Sequence, residues 1–237
     1  MSTVLALDTS TDWASLALVR GQNVVWEKEI PSQRSHSAAL FPALVEASSV
    51  VDGRIDRIAV GLGPGSFAGI RIAIAAAMGL EAVWGCELVG LPSVLALAPR
   101  SFSYRVLGDA RRGTWYYSSV DQGHCVDGPR LVESDEALEQ ILADANLVDG
   151  SPRSAPTTNL PQPSETDSAA SEASDRSGSA GELLLSTDST ALRWGAQLGR
   201  PKARFLGLLA YEQKSVRQIR DLEPLYLREP HITRPKA

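Results

Sequence analysis

Three short stretches carry the residue types that phosphate, metal or acid–base chemistry uses. Asp8 is followed by Thr9, Ser10 and Thr11, which places a carboxylate beside hydroxyls at the end of an apolar run. Such a group can hold a metal-bound phosphate or close a hydrogen-bonded turn on itself, and the turn is the favoured reading. Gly63-Pro64-Gly65-Ser66 lies between an apolar run and a long helical pattern, where backbone amides at a helix start can bind an anion. The lysine of a phosphate loop is missing after Gly69, Ala68 breaks the dinucleotide spacing, and Pro64 excludes a nucleophile elbow. A tight turn capped by Ser66 is therefore favoured. Asp109, just before Arg111 and Arg112, occupies a place like that of Asp8. Asp8, Ser10 and Asp109 are the candidate cofactor-facing residues.

Little else has catalytic spacing. His36, His124 and His231 are far apart, and no H-x-x-x-H, H-E-x-x-H or Cys/His cluster exists, so the sequence supports no metal site. Cys86 and Cys125 form neither a metal spacing nor a disulfide framework. His124 and Cys125 are neighbours on an extended stretch and point to opposite faces. The 237 residues carry a net charge of −5, which argues against the chain alone gripping a phosphate backbone. Hydrophobic content of 43% and charged content of 22% are ordinary for a soluble globular protein. The chain opens directly on an apolar strand pattern, which predicts no signal peptide, and Arg71 and Glu81 interrupt the apolar runs, which predicts no membrane span. A soluble, cytoplasmic α/β protein is expected.

The elements that must position these residues follow from periodicity and punctuation. "VLALDTSTDWASLALV" reads as two strands around a turn, and "NVVWEKEI" as a third. Residues 35–51 read as a helix that Pro42 should kink or start late. "RIAVGLG" is a buried strand, "SFAGIRIAIAAAMGLEAVW" a helix, "ELVGL" a strand and "PSVLALA" a helix with Pro92 in its first turn. "YRVLGDARRGTWYYSSVD" gives two strands around a turn, and "SDEALEQILADA" a helix with Ser134 as its N-cap. "ELLLST" is a strand, with helices around 190–198 and 203–214. Residues 151–181 hold no aromatic, valine or isoleucine and a single leucine, the composition of a disordered insertion. An antiparallel start with a parallel continuation predicts an α/β fold in two tandem units, the second reduced.

The helix after the glycine turn has almost no polar face. Gly65, Gly69, Ala73 and Ala77 recur at every fourth residue, a strip on which another helix could pack closely. A helix apolar all round must be covered all round, either within this chain or by another subunit. Arg71, a cation in the first turn, opposes the helix dipole at a cost of about 0.3–1 kcal/mol, and an acidic partner is expected for it.

These residues match a known pattern. "LALDTST", "HSAALFPAL", "GLGPGSFAGIRIA", "DARRGTWY" and the late "EPLYLR" resemble the TsaB family, over residues 1–120 and again near residue 225. The resemblance implies the actin/hsp70-like ATPase (ribonuclease H-like) fold, with two βββαβα-type subdomains at 1–102 and 103–237, the second interrupted by 151–181. It implies a non-catalytic dimerization subunit that pairs with a TsaD-like transferase to form N6-threonylcarbamoyladenosine at position 37 of tRNAs reading ANN codons. TsaD carries its metal on an H-x-x-x-H pair, which this sequence lacks. ATP or ADP and metal are then expected on partner subunits, among them a TsaE-like ATPase, and tRNA is met only through the complex. The resemblance places the partner interface on the first two helices, at His36, Leu40 and Leu44 and at Ser66, Gly69, Ile70, Arg71, Ala73, Ile74 and Ala77. A homodimer through the same helices is open for the free chain. Two features depart from the family: Ala68 stands where threonine is usual, and the 151–181 stretch is long. The alternative is a stand-alone ATP-dependent kinase or ATPase using Asp8, Asp109 and the glycine turn.

Overall fold

The computed structural model describes residues 2–32, 36–51, 54–145, 183–212 and 222–227. The insertion expected at 151–181 lies outside them. Strands β1 (Thr3–Asp8), β2 (Trp13–Arg20) and β3 (Asn23–Pro31) form an antiparallel meander. Helix α1 (His36–Val50) crosses to β4 (Arg57–Gly61), and α2 (Phe67–Trp84) crosses to β5 (Glu87–Leu91). Because each crossover carries a helix, β4 runs parallel to β1 and β5 parallel to β4, giving the order β3-β2-β1-β4-β5.

The second half repeats this plan. Strands β6 (Tyr104–Asp109), β7 (Trp115–Asp121) and β8 (His124–Val132) form a second meander, followed by helix α3 (Asp135–Asp144) and strand β9 (Leu183–Ser186). A 3-10 turn (Ser189–Trp194) and the two-residue β10 (Gln197–Leu198) stand where α2 and β5 stand in the first half. The order β10-β9-β6-β7-β8 mirrors the first sheet element for element. Two βββαβα units of ribonuclease H-like topology, the second reduced, make this the actin/hsp70-like fold.

Strand alternation divides the core into layers. On β1, Leu5 and Leu7 face α1 and α2, where they join Leu40, Leu44, Ile70 and Ile74. Val4 and Ala6 face the opposite way, toward Tyr104, Val106 and Leu185 of the second sheet and the closing helix α4 (Ala203–Glu212). The second sheet's outer face packs Leu107, Trp115 and Tyr117 against Leu138 and Leu142 of α3. Each fully buried leucine contributes about 1.5–3 kcal/mol.

Several expectations change. Helix α1 runs unbroken through Pro42 from His36, so the proline neither delays nor ends it; Pro42 and Ala38 are both exposed, and water can serve the carbonyl that loses its donor. "PSVLALA" forms only a 3-10 turn at Ser93–Ala96, with Pro92 at its cap. The helix expected over 190–198 is the 3-10 turn and β10. Helix α2, at 18 residues and a mean hydropathy of 1.5, is long and apolar enough to cross a membrane despite Arg71 and Glu81. Here it covers a sheet, with Ile70, Ala73 and Ala77 buried beneath it.

Helix α4 sits tightly against the first sheet at Gly207, where an added Cβ would lie 2.7 Å from Val19 Cγ2 and 3.3 Å from Ala6 Cβ. Gly207→Val should overpack this layer and destabilise the chain by about 1–3 kcal/mol in urea denaturation. An unchanged midpoint would show that the layer is loosely packed.

Candidate functional site

Three turns meet at a cleft of about 540 Å³ between the two sheets. The β1–β2 turn brings Ser10, Thr11 and Asp12; the turn before α2 brings Pro64, Gly65 and Ser66; the β6–β7 tip brings Asp109, Ala110 and Arg111. Thr187 and Asp188 close one side, and Leu225, Tyr226 and Leu227 another. The fold thus brings Ser10 and Asp109 to one cleft, but Asp8, whose place in the first repeat is equivalent to that of Asp109, does not line it.

Asp8 is turned inward. Its Oδ1 accepts from the Ser10 amide at 2.9 Å and the Ser10 hydroxyl at 2.7 Å. Its Oδ2 is buried and makes no hydrogen bond. A Cβ on Gly61 would stand 1.9 Å from that oxygen and 2.7 Å from Ser93 Oγ, so only glycine fits there. Burial pushes the Asp8 carboxyl above its ordinary range, outweighing the opposing pull of the Ser10 and Ser93 hydroxyls. Ser93 lies near enough to favour the charged form, while its oxygen accepts from the Gly63 amide at 2.9 Å.

The glycine turn is occupied as well. Ser66 N–H donates to the Ser10 carbonyl at 2.6 Å, and a Cβ on Gly65 would lie 2.1 Å from that same oxygen. Ser66 Oγ caps α2 by accepting from Gly69 N–H at 3.3 Å, and Thr9 Oγ1 donates to the Gly69 carbonyl at 2.7 Å. The Ser66 amide and the Gly69 amide are therefore already engaged within the chain. Among the cleft-lining side chains the acids Asp12, Asp109 and Asp188 face a single cation, Arg111. The lining is thus net acidic. Among the described residues no group of three or more His, Cys, Asp or Glu side chains could hold a metal.

The β6–β7 tip is internally hydrogen-bonded and strained. Arg111 N–H donates to Asp109 Oδ1 at 2.6 Å, and Asp109 N–H donates to Asp188 Oδ2 at 2.7 Å. Thr114 donates to the Arg111 carbonyl through its amide at 3.2 Å and its hydroxyl at 2.7 Å. Arg111 and Arg112 adopt φ of 70° and 58°, left-handed conformations that cost an L-residue roughly 1–2 kcal/mol each. Behind the tip, burial pushes the Tyr116 hydroxyl up to about 12, and it pairs with Thr187 Oγ1 at 3.2 Å.

A second surface lies on the outer side of α1 and α2. Leu40, Leu44, Gly69, Ile70, Ala73, Ile74 and Ala77, expected at a partner interface, are buried against this chain's own sheet and neighbouring helix. Of the small-residue strip, Gly69, Ala73 and Ala77 thus face inward, while Gly65 is exposed. The outward face of α2 carries Ala68, Arg71, Ala75, Met78, Ala82 and Val83, with Met78 47% and Val83 77% exposed. On α1, Phe41 and Val45 are 52% and 72% exposed. His36 opens α1, and its side chain lies outside the described residues. Arg71 makes no ion pair among the described residues; its guanidinium lies 4.3 Å over the Phe67 ring. Phe67 in turn meets Tyr226 at 5.3 Å between centroids, and Leu225 N–H donates to the Leu62 carbonyl at 2.8 Å, so the 222–227 segment braces the start of α2.

Residues 29–155, more than half of the chain, match the family model of TsaD, tRNA N6-adenosine threonylcarbamoyltransferase. The chain belongs to this family. Within it, the chain is a TsaB-type member: it is 33% identical to TsaB of Haemophilus influenzae over 129 residues, covering 50% of this chain and 53% of that protein. TsaB of Bacillus subtilis is 32% identical over 155 residues, covering 62% of each chain. The match thus spans between half and two thirds of those relatives. An uncharacterized Mycobacterium tuberculosis protein is 29% identical over 167 residues, covering 68% of this chain and 78% of that one. YeaZ from Pseudomonas aeruginosa superposes with a TM-score of 0.61 at 24% identity, covering 96% of this chain and all of that one, which shows a shared fold.

In this TsaB-type chain the buried carboxyl at Asp8 makes a prediction about pH. A carboxyl whose pKa is raised by folding contributes stability that is complete below about pH 4 and is lost as the pH climbs through the raised value. Asp8→Asn keeps an acceptor for Ser10 and cannot ionise. In denaturant titrations the wild type should lose stability relative to Asp8→Asn as the pH rises from 4 to 8; parallel profiles would show that Asp8 is charged throughout.

Proposed function

We propose that this chain is an accessory subunit for forming threonylcarbamoyladenosine in tRNA, without catalytic chemistry of its own. It pairs with a TsaD-like transferase through the outward faces of α1 and α2. The observation that carries this reading is the exposed apolar surface built from Phe41, Val45, Ala75, Met78, Ala82 and Val83 on adjacent helices. Monomeric proteins rarely leave such contiguous faces uncovered. Its position on the first two helices agrees with the interface that the TsaB resemblance implies, moved to the opposite side of α2. Ser66 and Arg71 keep a place at its edge, and Arg71, which makes no ion pair among the described residues, offers its cation to an acidic residue of the partner.

Further parts of the reading follow from the system named by the curated relatives. Nucleotide and metal reside on the partner subunits, a TsaE-like ATPase joins the assembly, and tRNA is modified by the assembled complex in the cytoplasm. When free, the chain covers the same face by pairing with a second copy. The self-bonded glycine turn and inward Asp8 support the absence of an intrinsic cofactor.

Ala75→Arg and Val45→Glu place charge on this face without touching the core. Each should weaken co-purification with the cognate TsaD-like protein by at least about tenfold, equivalent to 1.4 kcal/mol, while leaving the melting temperature unchanged. Undiminished pairing in both variants would rule out this face as the interface. Calorimetry of the free chain with Mg-ATP separates the stand-alone kinase reading: no micromolar binding is expected, and micromolar affinity would favour the kinase.

A further inference from the structure

The Arg111–Arg112 tip has features that folding alone does not require. A hairpin tip with successive left-handed residues ordinarily takes asparagine, aspartate or glycine, which adopt that conformation with least strain. Here two arginines occupy it, followed by Gly113 at φ 72°. The bonds from Asp109, Asp188 and Thr114 to the tip hold the backbone in place, so the strain persists in the folded state.

Both arginines are exposed, with the Arg111 side chain at 86%. Arg111 has only a loose contact, Nη1 to Asp109 Oδ2 at 3.5 Å, and Arg112 makes no ion pair among the described residues. Other arginines of this half are already engaged: Arg130 pairs with Asp127, and Arg193 pairs with Asp135 while lying over Trp115. The tip thus presents two exposed guanidinium groups, one of them loosely paired with Asp109, on a chain whose net charge is −5.

We propose that the Arg111–Arg112 tip is a phosphate-binding element that grips the phosphodiester backbone of an RNA. Guanidinium groups match phosphate oxygens in bidentate geometry, and a rigid tip loses little freedom on binding. RNA is favoured over a nucleotide in the cleft because the guanidinium groups are exposed to solvent. The cleft beside them is lined by Asp12, Asp109 and Asp188, which repel a bound polyphosphate. The contact belongs to the free chain and does not depend on pairing with a transferase, so a chain that binds RNA yet fails to pair separates this proposal from the one above.

The test is fluorescence anisotropy of a labelled tRNA transcript with the free full-length chain at 50 mM salt, across a salt series, with Mg-ATP as a parallel ligand. Arg111→Ala/Arg112→Ala should weaken RNA binding about tenfold or more and lower the salt slope by roughly two, as expected for two lost phosphate contacts. Arg111→Asn/Arg112→Gly should weaken RNA binding equally while raising the melting temperature by about 2–4 °C, because it relieves the left-handed strain. That opposite movement of affinity and stability is the signature of a functional tip. No RNA binding by the wild type, or binding of either double variant at wild-type strength, would overturn the proposal. Arginine-dependent binding of Mg-ATP without binding of RNA would overturn the assignment to RNA.

Discussion

The hydrogen bond from the Ser66 amide to the Ser10 carbonyl joins the two parts of the first half on which everything else rests. It ties the β1–β2 turn to the N-terminus of α2, and Gly65 has no side chain because that carbonyl fills the space. Asp8 supports the arrangement from beneath by fixing Ser10, and Gly61 leaves room for the Asp8 carboxyl. A phosphate-binding version of this seam would need the amides directed outward and a carboxylate facing the cleft. Here the Ser66 amide and the Asp8 carboxyl are both turned to internal use, so the seam positions α2.

Once α2 is fixed there, its two sides have different fates. The inward side meets β4, β1 and α1, and the small residues Gly69, Ala73 and Ala77 let those elements approach. The outward side has no cover among the described residues. The 222–227 segment reaches only the first turn, through Tyr226 on Phe67, and leaves Ala75, Met78, Ala82 and Val83 open. Removing such a surface from water on association is favourable at about 25 cal/mol per Å², although ordering the partners offsets much of it. In the reduced second half a 3-10 turn stands in place of the second crossover helix.

Much of this was legible in the sequence wherever local chemistry and tertiary environment agree. The Ser66 and Ser134 caps are observed, since a hydroxyl before a helical pattern satisfies an orphan amide whatever packs nearby. Strand β8 went unread as an element: its residues alternate between exposed and half-buried, with Asp127, Gly128 and Pro129 in its middle, and those residues normally mark loops. The two 3-10 turns read as helices because a few apolar residues fit both, and only packing limits their length. The face of α2 was not legible for a different reason. A helix apolar all round has no pattern that says which side its own sheet will take, and the small-residue strip fits an intramolecular neighbour as well as a partner. The strain at Arg111 and Arg112 likewise exists only as backbone geometry.

The most direct measurement is hydrogen–deuterium exchange of the full chain with and without the cognate TsaD-like protein. The account predicts slowed exchange in α1 and α2, centred on residues 41–50 and 71–84, with the turns around Ser10, Gly65 and Asp109 unchanged. Slowed exchange confined to those cleft turns, with both helices unaffected, would contradict it.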